Sequence, residues 1–534
     1  MDPISQLASA VIDSADALAG DGRVQRPALD RPPRPDFGDY STNAAMLLAP
    51  TLGEAPRAVA ERLGDDLGER LGAAVDRVEV AGPGFLNLFM ADAWYLDSLA
   101  ALLEAGESYG AGDGGERLNI EFVSANPTGP ITVASGRHAA YGDSLCRIIE
   151  FAGNEVEREY YVNDYGSQVR KFGEAIGARA RGQAPEEYGG AYVAALADRI
   201  DGAAQADADE LARRGIELML EGVRTTLDRF RVRMDRFFSE RSLHESGELK
   251  AALERLDGVY EHDGAVWLRT TRYGDDKDRV LRRSSGEYTY FASDVAYHLH
   301  KLGREYDRAI DVWGADHHGY ISRLKAVWRA LGGDPDGFEI IIMQLVNLTE
   351  GGRRLQVSKR AGQVVSLDDL IDDVGVDAAR WFLASRSHDT TLDLDLELAR
   401  RQSQDNPVYY VQYAHARIAS ILRKAGDERV AAALEADMSS SSERFHPSAR
   451  ALVKRLLELP ATVREAAERR APHRMTAYAH ETAQEFSAFY RDCRVVGAAE
   501  EGGDEDVRLA VCVLAKRVIA RSLDLVGVGA PESM

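Results

Sequence analysis

The stretch that most limits how this chain can fold runs over residues 118–152, LNIEFVSANPTGPITVASGRHAAYGDSLCRIIEFA. The apolar run LNIEFV reads as a short strand. The loop SANPTGPIT is rich in turn formers, and residues from about 133 to 152 carry the periodicity of a helix. Strand, loop, helix in that order opens a nucleotide-binding α/β unit, in which the free N–H groups of the helix N-terminus face a ligand. A second strand, EVEREYYV, follows. Over 265–383 strands and helices alternate: AVWLR, EYTYF, the helix SDVAYHLHKLG, RAIDVWG, the helix ISRLKAVWRALG, and EIIIMQLV. The alternation predicts a parallel sheet, hence an α/β, Rossmann-like domain.

A chain of 534 residues is too long for one core, because single cores stop growing near about 250–300 residues. Three domains are expected. Residues 1–110 read as a small α+β unit: an amphipathic helix with Ile4, Leu7, Ile12 and Leu18 on one face, the Pro-rich loop PALDRPPRPDFGDY, the helical stretch NAAMLLAPTLGEAPRAVAERLGDDL, and short strands near 78–80 and 85–89. The Gly-rich run ESYGAGDGGER reads as a linker. Residues 116–390 hold the sheet. Within them, about 165–260 is mostly helical and too long for a simple crossover, so it reads as an insertion. Residues 400–534 are all helical apart from the loop ADMSSSSERFHPS.

Three well-separated cysteines make neither a disulfide framework nor a cysteine zinc site, which fits a reducing cytoplasm. No segment approaches the roughly 18 apolar residues of a membrane span. The N-terminus lacks the basic start of a signal peptide.

Charge sets a condition on any nucleic-acid partner. The chain carries 65 basic and 87 acidic side chains, net −22, whereas phosphate backbones are held by basic surface. The excess is uneven: residues 1–115 hold 8 basic and 19 acidic groups, residues 406–534 hold 18 of each. A neutral C-terminal unit can still carry a basic face.

Several strings, in order along nearly the whole chain, resemble arginyl-tRNA synthetase, a class I aminoacyl-tRNA synthetase family. They are FGDYSTNAAMLLA, GPGFLNLF, EFVSANPTGPITVASGRHAAYGDSL, REYYVNDYGSQ, GDDKDRVLRRSSGEYTYFASDVAYHL, GADHHGY, VSKRAGQVVSLDDL, NPVYYVQYAHARI and the ending SLDLVGVGAPESM. The resemblance implies a catalytic Rossmann-like domain, an N-terminal domain that contacts tRNA and a C-terminal anticodon-binding bundle. It implies an arginine–tRNA ligase: ATP activates L-arginine to arginyl-adenylate, and the arginyl group passes to the 3′ end of tRNA(Arg). Magnesium accompanies ATP, held by phosphates and water, and the family is expected to need tRNA before it activates arginine. A cytoplasmic monomer is expected.

One departure stands out. Class I enzymes place His-x-Gly-His at the helix N-terminus; here the residues are Thr132-Val133-Ala134-Ser135. The two hydroxyls can donate hydrogen bonds but carry no charge. Loss of one strong transition-state donor can cost about 2.7–4 kcal/mol. Arg137 and His138, within the next turn, are candidates to compensate, although Arg137 also reads as a solvated helix residue. The family's Lys-Met-Ser-Lys-Arg pattern becomes Gln356-Val357-Ser358-Lys359-Arg360, which retains Ser358, Lys359 and Arg360.

The resemblance therefore makes Thr132, Ser135, Ser358 and Lys359 catalytic. It gives ATP to Pro127, Thr128, Ala134, Arg137, Gly314, Asp316, His317 and Arg360. Arginine falls to Glu121, Asn126, Asn163, Asp164, Tyr290 and Asp294, with Asp294 pairing the guanidinium in fork geometry. Tyr290 and Asp294 stand at i, i+4, on one face of a helix that begins there. Tyr410, Tyr413 and Arg417 are candidate tRNA contacts through stacking on unstacked bases, though periodicity alone also puts these tyrosines in a bundle core. No protein-held metal is expected. The rival reading is a catalytically impaired or repurposed relative that binds tRNA or an arginine-like ligand.

Overall fold

A computed structural model of the chain describes residues 2–20, 25–355 and 365–534. Its centre is a five-stranded sheet in the order Phe338–Met343, Arg308–Gly314, Arg117–Glu121, Glu155–Val162, Arg236–Ser239, with every neighbouring pair parallel. The inner strands are largely buried, yet they carry the polar side chains Asn119, Glu121, Arg158, Glu159 and Asp311 at buried positions. The helix Val133–Phe151 connects the first strand to the second and packs closely on it. A side chain at Gly142 would collide with the Phe122 ring, so only glycine allows that approach.

The N-terminal unit is a four-stranded antiparallel sheet with the helices Pro3–Ala19, Ala44–Leu52 and Pro56–Leu71. The single helical stretch expected over 43–67 breaks at Gly53, which takes a left-handed φ of 65° and caps the first helix. This unit docks on the C-terminal helices through two charge pairs: Lys454 Nζ lies 2.8 Å from Asp39 Oδ1, largely buried, and Arg450 lies 2.6 Å from Asp92, half-buried. Burial alone would raise the Asp39 carboxyl, but Lys454 and the hydroxyl of Tyr95 hold it below its usual range. The C-terminal bundle includes Pro407–Ala425, Pro447–Leu457, His473–Asp492 and Glu505–Leu525. One continuous hydrophobic core runs from Leu7 through the sheet to Val528. Among the described residues no helix is long and apolar enough to cross a membrane.

Two local expectations change. The helical stretch after Val162 comprises Ser167–Ala180, Ala191–Arg199 and Ala208–Arg229. The chain then re-enters the sheet as the edge strand Arg236–Ser239. The helices therefore form an elaborated crossover rather than an insertion reaching 260, and a small antiparallel sheet follows at 259–282. EYTYF is not a strand. Only Tyr288 bridges to Arg282, and the helix Tyr290–Leu302 begins within the string, after Thr289 hooks its hydroxyl to the Val280 carbonyl at 2.7 Å.

Candidate active site

Sheet order reverses at Arg117–Glu121. One neighbour is reached through the helix Val133–Phe151 and the other, Arg308–Gly314, only after a long excursion. A crevice therefore opens at the carboxyl ends of these strands, where open α/β sheets take their ligands. The chain leaves the first strand through a strained turn. Val123 and Ser124 both adopt positive φ, 70° and 36°, costly for a β-branched residue and typical of functional loops. The turn lets the Ser124 hydroxyl donate to Glu121 Oε1 at 2.9 Å while accepting the Tyr161 N–H at 3.0 Å. The loop beyond is pinned from two sides: Tyr160 donates to the Ala125 carbonyl at 2.6 Å and Tyr192 to the Thr128 carbonyl at 2.8 Å. Asn126 stays exposed at its tip, with Pro127 and Thr128 buried beneath.

At the helix N-terminus Thr132 is the cap. Its Oγ1 accepts the Ser135 N–H at 3.2 Å and lies 3.3 Å from the Ser135 hydroxyl. The Val133 N–H is held by the Val365 carbonyl at 3.3 Å, and the Leu367 N–H by the Ile131 carbonyl at 2.8 Å. A β-carbon on Gly136 would fall 2.7 Å from Leu367 Cδ1, so this close crossing needs a glycine. Ala134 is exposed at the crevice.

Arg137 requires a correction. It is fully buried, and its guanidinium donates to four carbonyls: Gln344 at 2.7 Å, Leu345 at 3.3 Å, Ser387 at 2.8 Å and Thr390 at 2.9 Å. It ties two loops together, points away from the helix end, and is closed to an ATP phosphate. Burial pulls it down to about 10, still charged at neutral pH. His138, half-buried on the other side of the helix, lies beside Gly314: a β-carbon there would sit 3.6 Å from its Cε1. Asp316 and His317, on the short helical turn after that strand, are largely exposed.

The side of the crevice formed by the helix Tyr290–Leu302 is acidic. Tyr290 and Asp294 share one face of the helix Tyr290–Leu302, with Tyr290 49% exposed and its hydroxyl close to Gly166. No donor among the described residues bonds the Asp294 carboxylate. Burial, reinforced by the nearby charges of Glu240 and Glu121, pushes it up to about 7, against the counter-pull of His298 and Arg323. Glu240 was invisible to sequence reasoning. It is 2% exposed, follows directly on the edge strand, and receives the Tyr161 hydroxyl. Its signal is its place at the carboxyl end of a short sheet strand, which the helical stretches on either side of RFFS hide in the sequence.

Beneath these groups lies a buried ion network. Lys301 Nζ reaches Glu121 Oε2 at 2.7 Å and Asp311 Oδ1 at 2.6 Å. The Tyr297 hydroxyl lies 2.8 Å from Glu121 Oε2 and 2.7 Å from Glu159 Oε1, within reach of both carboxylates for its one proton, and Arg304 pairs with Glu159. Burial raises Glu121 despite Lys301, whereas Lys301 and His298 hold Asp311 low against burial. Glu121 thus has both oxygens engaged by protein donors, and any contact with arginine adds to those bonds. Asp164 is a second correction. Its oxygens accept the Ser239 hydroxyl at 2.6 Å and the Arg241 N–H at 2.9 Å, so it braces the start of the 240–245 helix rather than offering a free carboxylate. Asn163 stands beside it, half-buried.

Ser358, Lys359 and Arg360 lie outside the described residues. Among the described residues no group of three or more His, Cys, Asp or Glu side chains is placed to hold a metal ion. In the bundle Tyr410 is corrected to a packing residue: its hydroxyl donates to Ser487 at 3.0 Å and its ring rests on His480 and the core. Tyr413 and Arg417 belong to a surface cluster. The Arg417 guanidinium sits 4.8 Å from the Tyr413 ring and 4.9 Å from that of Tyr490, and Tyr409 stacks on Tyr413 at 6.3 Å. Tyr490, 42% exposed, was not foreseen.

Three family models match the chain: "Arginyl tRNA synthetase N terminal domain" over 4–90, "tRNA synthetases class I (R), catalytic domain" over 204–418, and "DALR anticodon binding domain" over 411–534. The arginine–tRNA ligase of Desulfosudis oleivorans is 44% identical over 528 residues, covering 95% of this chain and 94% of its own length. That of Frankia alni is 44% identical over 553 residues, covering 99% and 100%. Among solved structures, a putative arginyl-tRNA synthetase from Campylobacter jejuni superposes with a TM-score of 0.77 at 33% identity, over 83% of this chain and all of that one.

Proposed function

The chain belongs to the arginyl-tRNA synthetase family and is an arginine–tRNA ligase, and we propose that it works with a variant ATP signature and the following division of labour. The observation that carries the substrate reading is the Asp294 carboxylate: without a donor among the described residues, raised to about 7, and flanked by Glu240, Glu121 and Tyr290. Such a pocket is costly empty and favourable around a guanidinium, which stays charged and offers a planar fork of donors. Tyr290 packs on the substrate's side chain. Asn126, exposed at the loop tip, and Asn163 orient its α-substituents.

In the first step an arginine carboxylate oxygen attacks the α-phosphorus of ATP, and the bond to pyrophosphate breaks. In the second a terminal ribose hydroxyl of tRNA attacks the arginyl carbonyl and AMP leaves. Positioning and charge stabilisation carry the first step. The Thr132 and Ser135 hydroxyls donate to phosphate oxygens at the helix N-terminus, whose dipole favours the anion. Pro127, Thr128 and Ala134 shape the phosphate side, and Gly314, Asp316 and His317 the nucleoside side. Lys359, with Ser358 and Arg360, is the cation set for the departing pyrophosphate. Magnesium would arrive on the nucleotide, held by phosphates and water, and add charge compensation there.

We assign tRNA contacts to residues 1–110 and to the 400–534 bundle through Tyr413 and Arg417, and catalysis to 116–390. The protein is proposed to act as a monomer. Three buried free thiols suit the cytoplasm. The test is a charging assay with arginine, ATP, magnesium and cognate tRNA. Arginyl-tRNA formation is expected; its absence, with arginine and tRNA binding demonstrated, refutes the activity and favours a repurposed binder.

A further inference from the structure

The helix Val133–Phe151 carries an imidazole, His138, just beyond its first turn. Ser135 and His138, three apart on the helix Val133–Phe151, are neighbours on its surface, with Thr132 capping the same end. The ring of His138 is packed against the end of the strand Arg308–Gly314, at the reversal point of the sheet. Its nitrogens have no hydrogen-bond partner among the described residues, and they are not sealed from solvent. The charged and titratable groups that bear on it are Arg137 on its own helix and Asp316 and His317 across the crevice. The His138 nitrogens are thus open to the crevice and available to a ligand.

We propose that His138 is a nucleotide-contacting residue, hydrogen-bonding a ribose hydroxyl of ATP and of arginyl-adenylate from the side opposite Asp316. The inference rests on the ligase reading above and deepens it. Burial first, then Arg137, lowers the imidazole to about 4, so it is neutral at working pH and presents one donor and one acceptor. That suits a hydroxyl, which takes and gives a hydrogen bond. It does not suit replacement of a cationic phosphate ligand, and the Asp316 carboxylate nearby disfavours a phosphate in the same place. On the helix, His138 lies one turn beyond Ser135, so phosphates at the N-terminus leave the nucleoside to fall beside it.

The test compares wild type, His138→Ala and His138→Asn in tRNA-dependent ATP–pyrophosphate exchange with ATP, 2′-deoxyATP and 3′-deoxyATP. Direct binding of the three nucleotides to each protein is measured alongside. His138→Ala should lower kcat/KM for ATP about tenfold, the worth of one hydrogen bond, with KM for arginine unchanged. His138→Asn should recover part of the loss. Wild type should lose a comparable factor on one deoxy analogue, and His138→Ala should lose nothing further on that analogue. Wild-type kcat/KM for ATP in a folded His138→Ala protein overturns the proposal, as does an undiminished penalty on both analogues in that variant. If the variants do not fold, wild type alone decides: equal binding of ATP and both deoxy analogues overturns it, and loss on one supports it. A wild type that binds nucleotide but does not charge tRNA refutes the ligase reading instead, and the binding comparison still judges His138.

Discussion

Arginine affinity should depend on pH because of one carboxylate. In the empty site Asp294 titrates at about 7, raised by burial and by Glu240 and Glu121. Only its ionised form pairs with guanidinium. With that value, about one-eleventh of the sites are ionised at pH 6 and about ten-elevenths at pH 8. Arginine should therefore bind about tenfold more weakly at pH 6, a difference of about 1.4 kcal/mol. The linkage sign follows. The folded, arginine-free carboxyl is raised above its unfolded value near 4, so the empty protein loses stability as pH rises from about 4 through 7. Arginine reverses this by returning the group to the charged form, and about half a proton should leave per arginine bound at pH 7. Calorimetric titrations at pH 6, 7 and 8, in buffers of different ionisation enthalpy, measure affinity and proton count together. Asp294→Asn should abolish the pH dependence and weaken binding by roughly 10- to 150-fold, the worth of about 1.5–3 kcal/mol for a charge-assisted bond. A dissociation constant that is flat from pH 6 to 8 with no proton release would refute the assignment of Asp294 to the guanidinium.

Three other outcomes are expected. Thr132→Val should lower kcat for activation far more than it raises KM for arginine; an unchanged kcat removes the Thr132 hydroxyl from the reaction. Lys301→Met leaves Glu121 and Asp311 without their buried cation and should destabilise the protein by about 3–5 kcal/mol in denaturant unfolding, and a loss below about 1 kcal/mol would show that water or relaxation replaces it. Tyr490→Ala should raise KM for tRNA several-fold and leave KM for arginine alone, since base stacking is worth about 1–3 kcal/mol; unchanged tRNA kinetics would place the cluster outside the RNA footprint.

The parts legible in the sequence were those whose physics is local. The strand–loop–helix unit over 118–152 follows from apolar runs, turn formers and helical spacing. Tyr290 and Asp294 come together because a helix starts at Tyr290 and brings i and i+4 to one face. What stayed hidden depends on contacts distant in sequence. Arg137 reads as solvated from its neighbours, yet carbonyls about 210 to 250 residues away bury it. Glu240 comes near Asp294 only because 236–239 returns to the sheet, a pairing no local pattern records. Tyr410 and Tyr413 are three apart in one helix, and only the packing of His473–Asp492 against it decides which is core and which is surface.

The same distant packing resolves how so acidic a chain can hold RNA. Many of its arginines are not free to meet phosphate. Arg380 is buried against Asp143 and backbone carbonyls, Arg158 lies between Glu150 and Asp143, and on the bundle Arg455, Arg491 and Arg508 pair with carboxylates. Arg417 differs: its guanidinium rests on two tyrosine rings and no carboxylate pairs with it among the described residues. A base inserted beside Tyr413 and Tyr490 gains a π-face and a cation without requiring a basic field over the whole surface. Such contacts tolerate salt better than phosphate pairing does, because few counterions are released. A net charge of −22 is then compatible with recognising one RNA at a few stacked bases, while repelling the bulk of polyanions that a uniformly basic surface would collect.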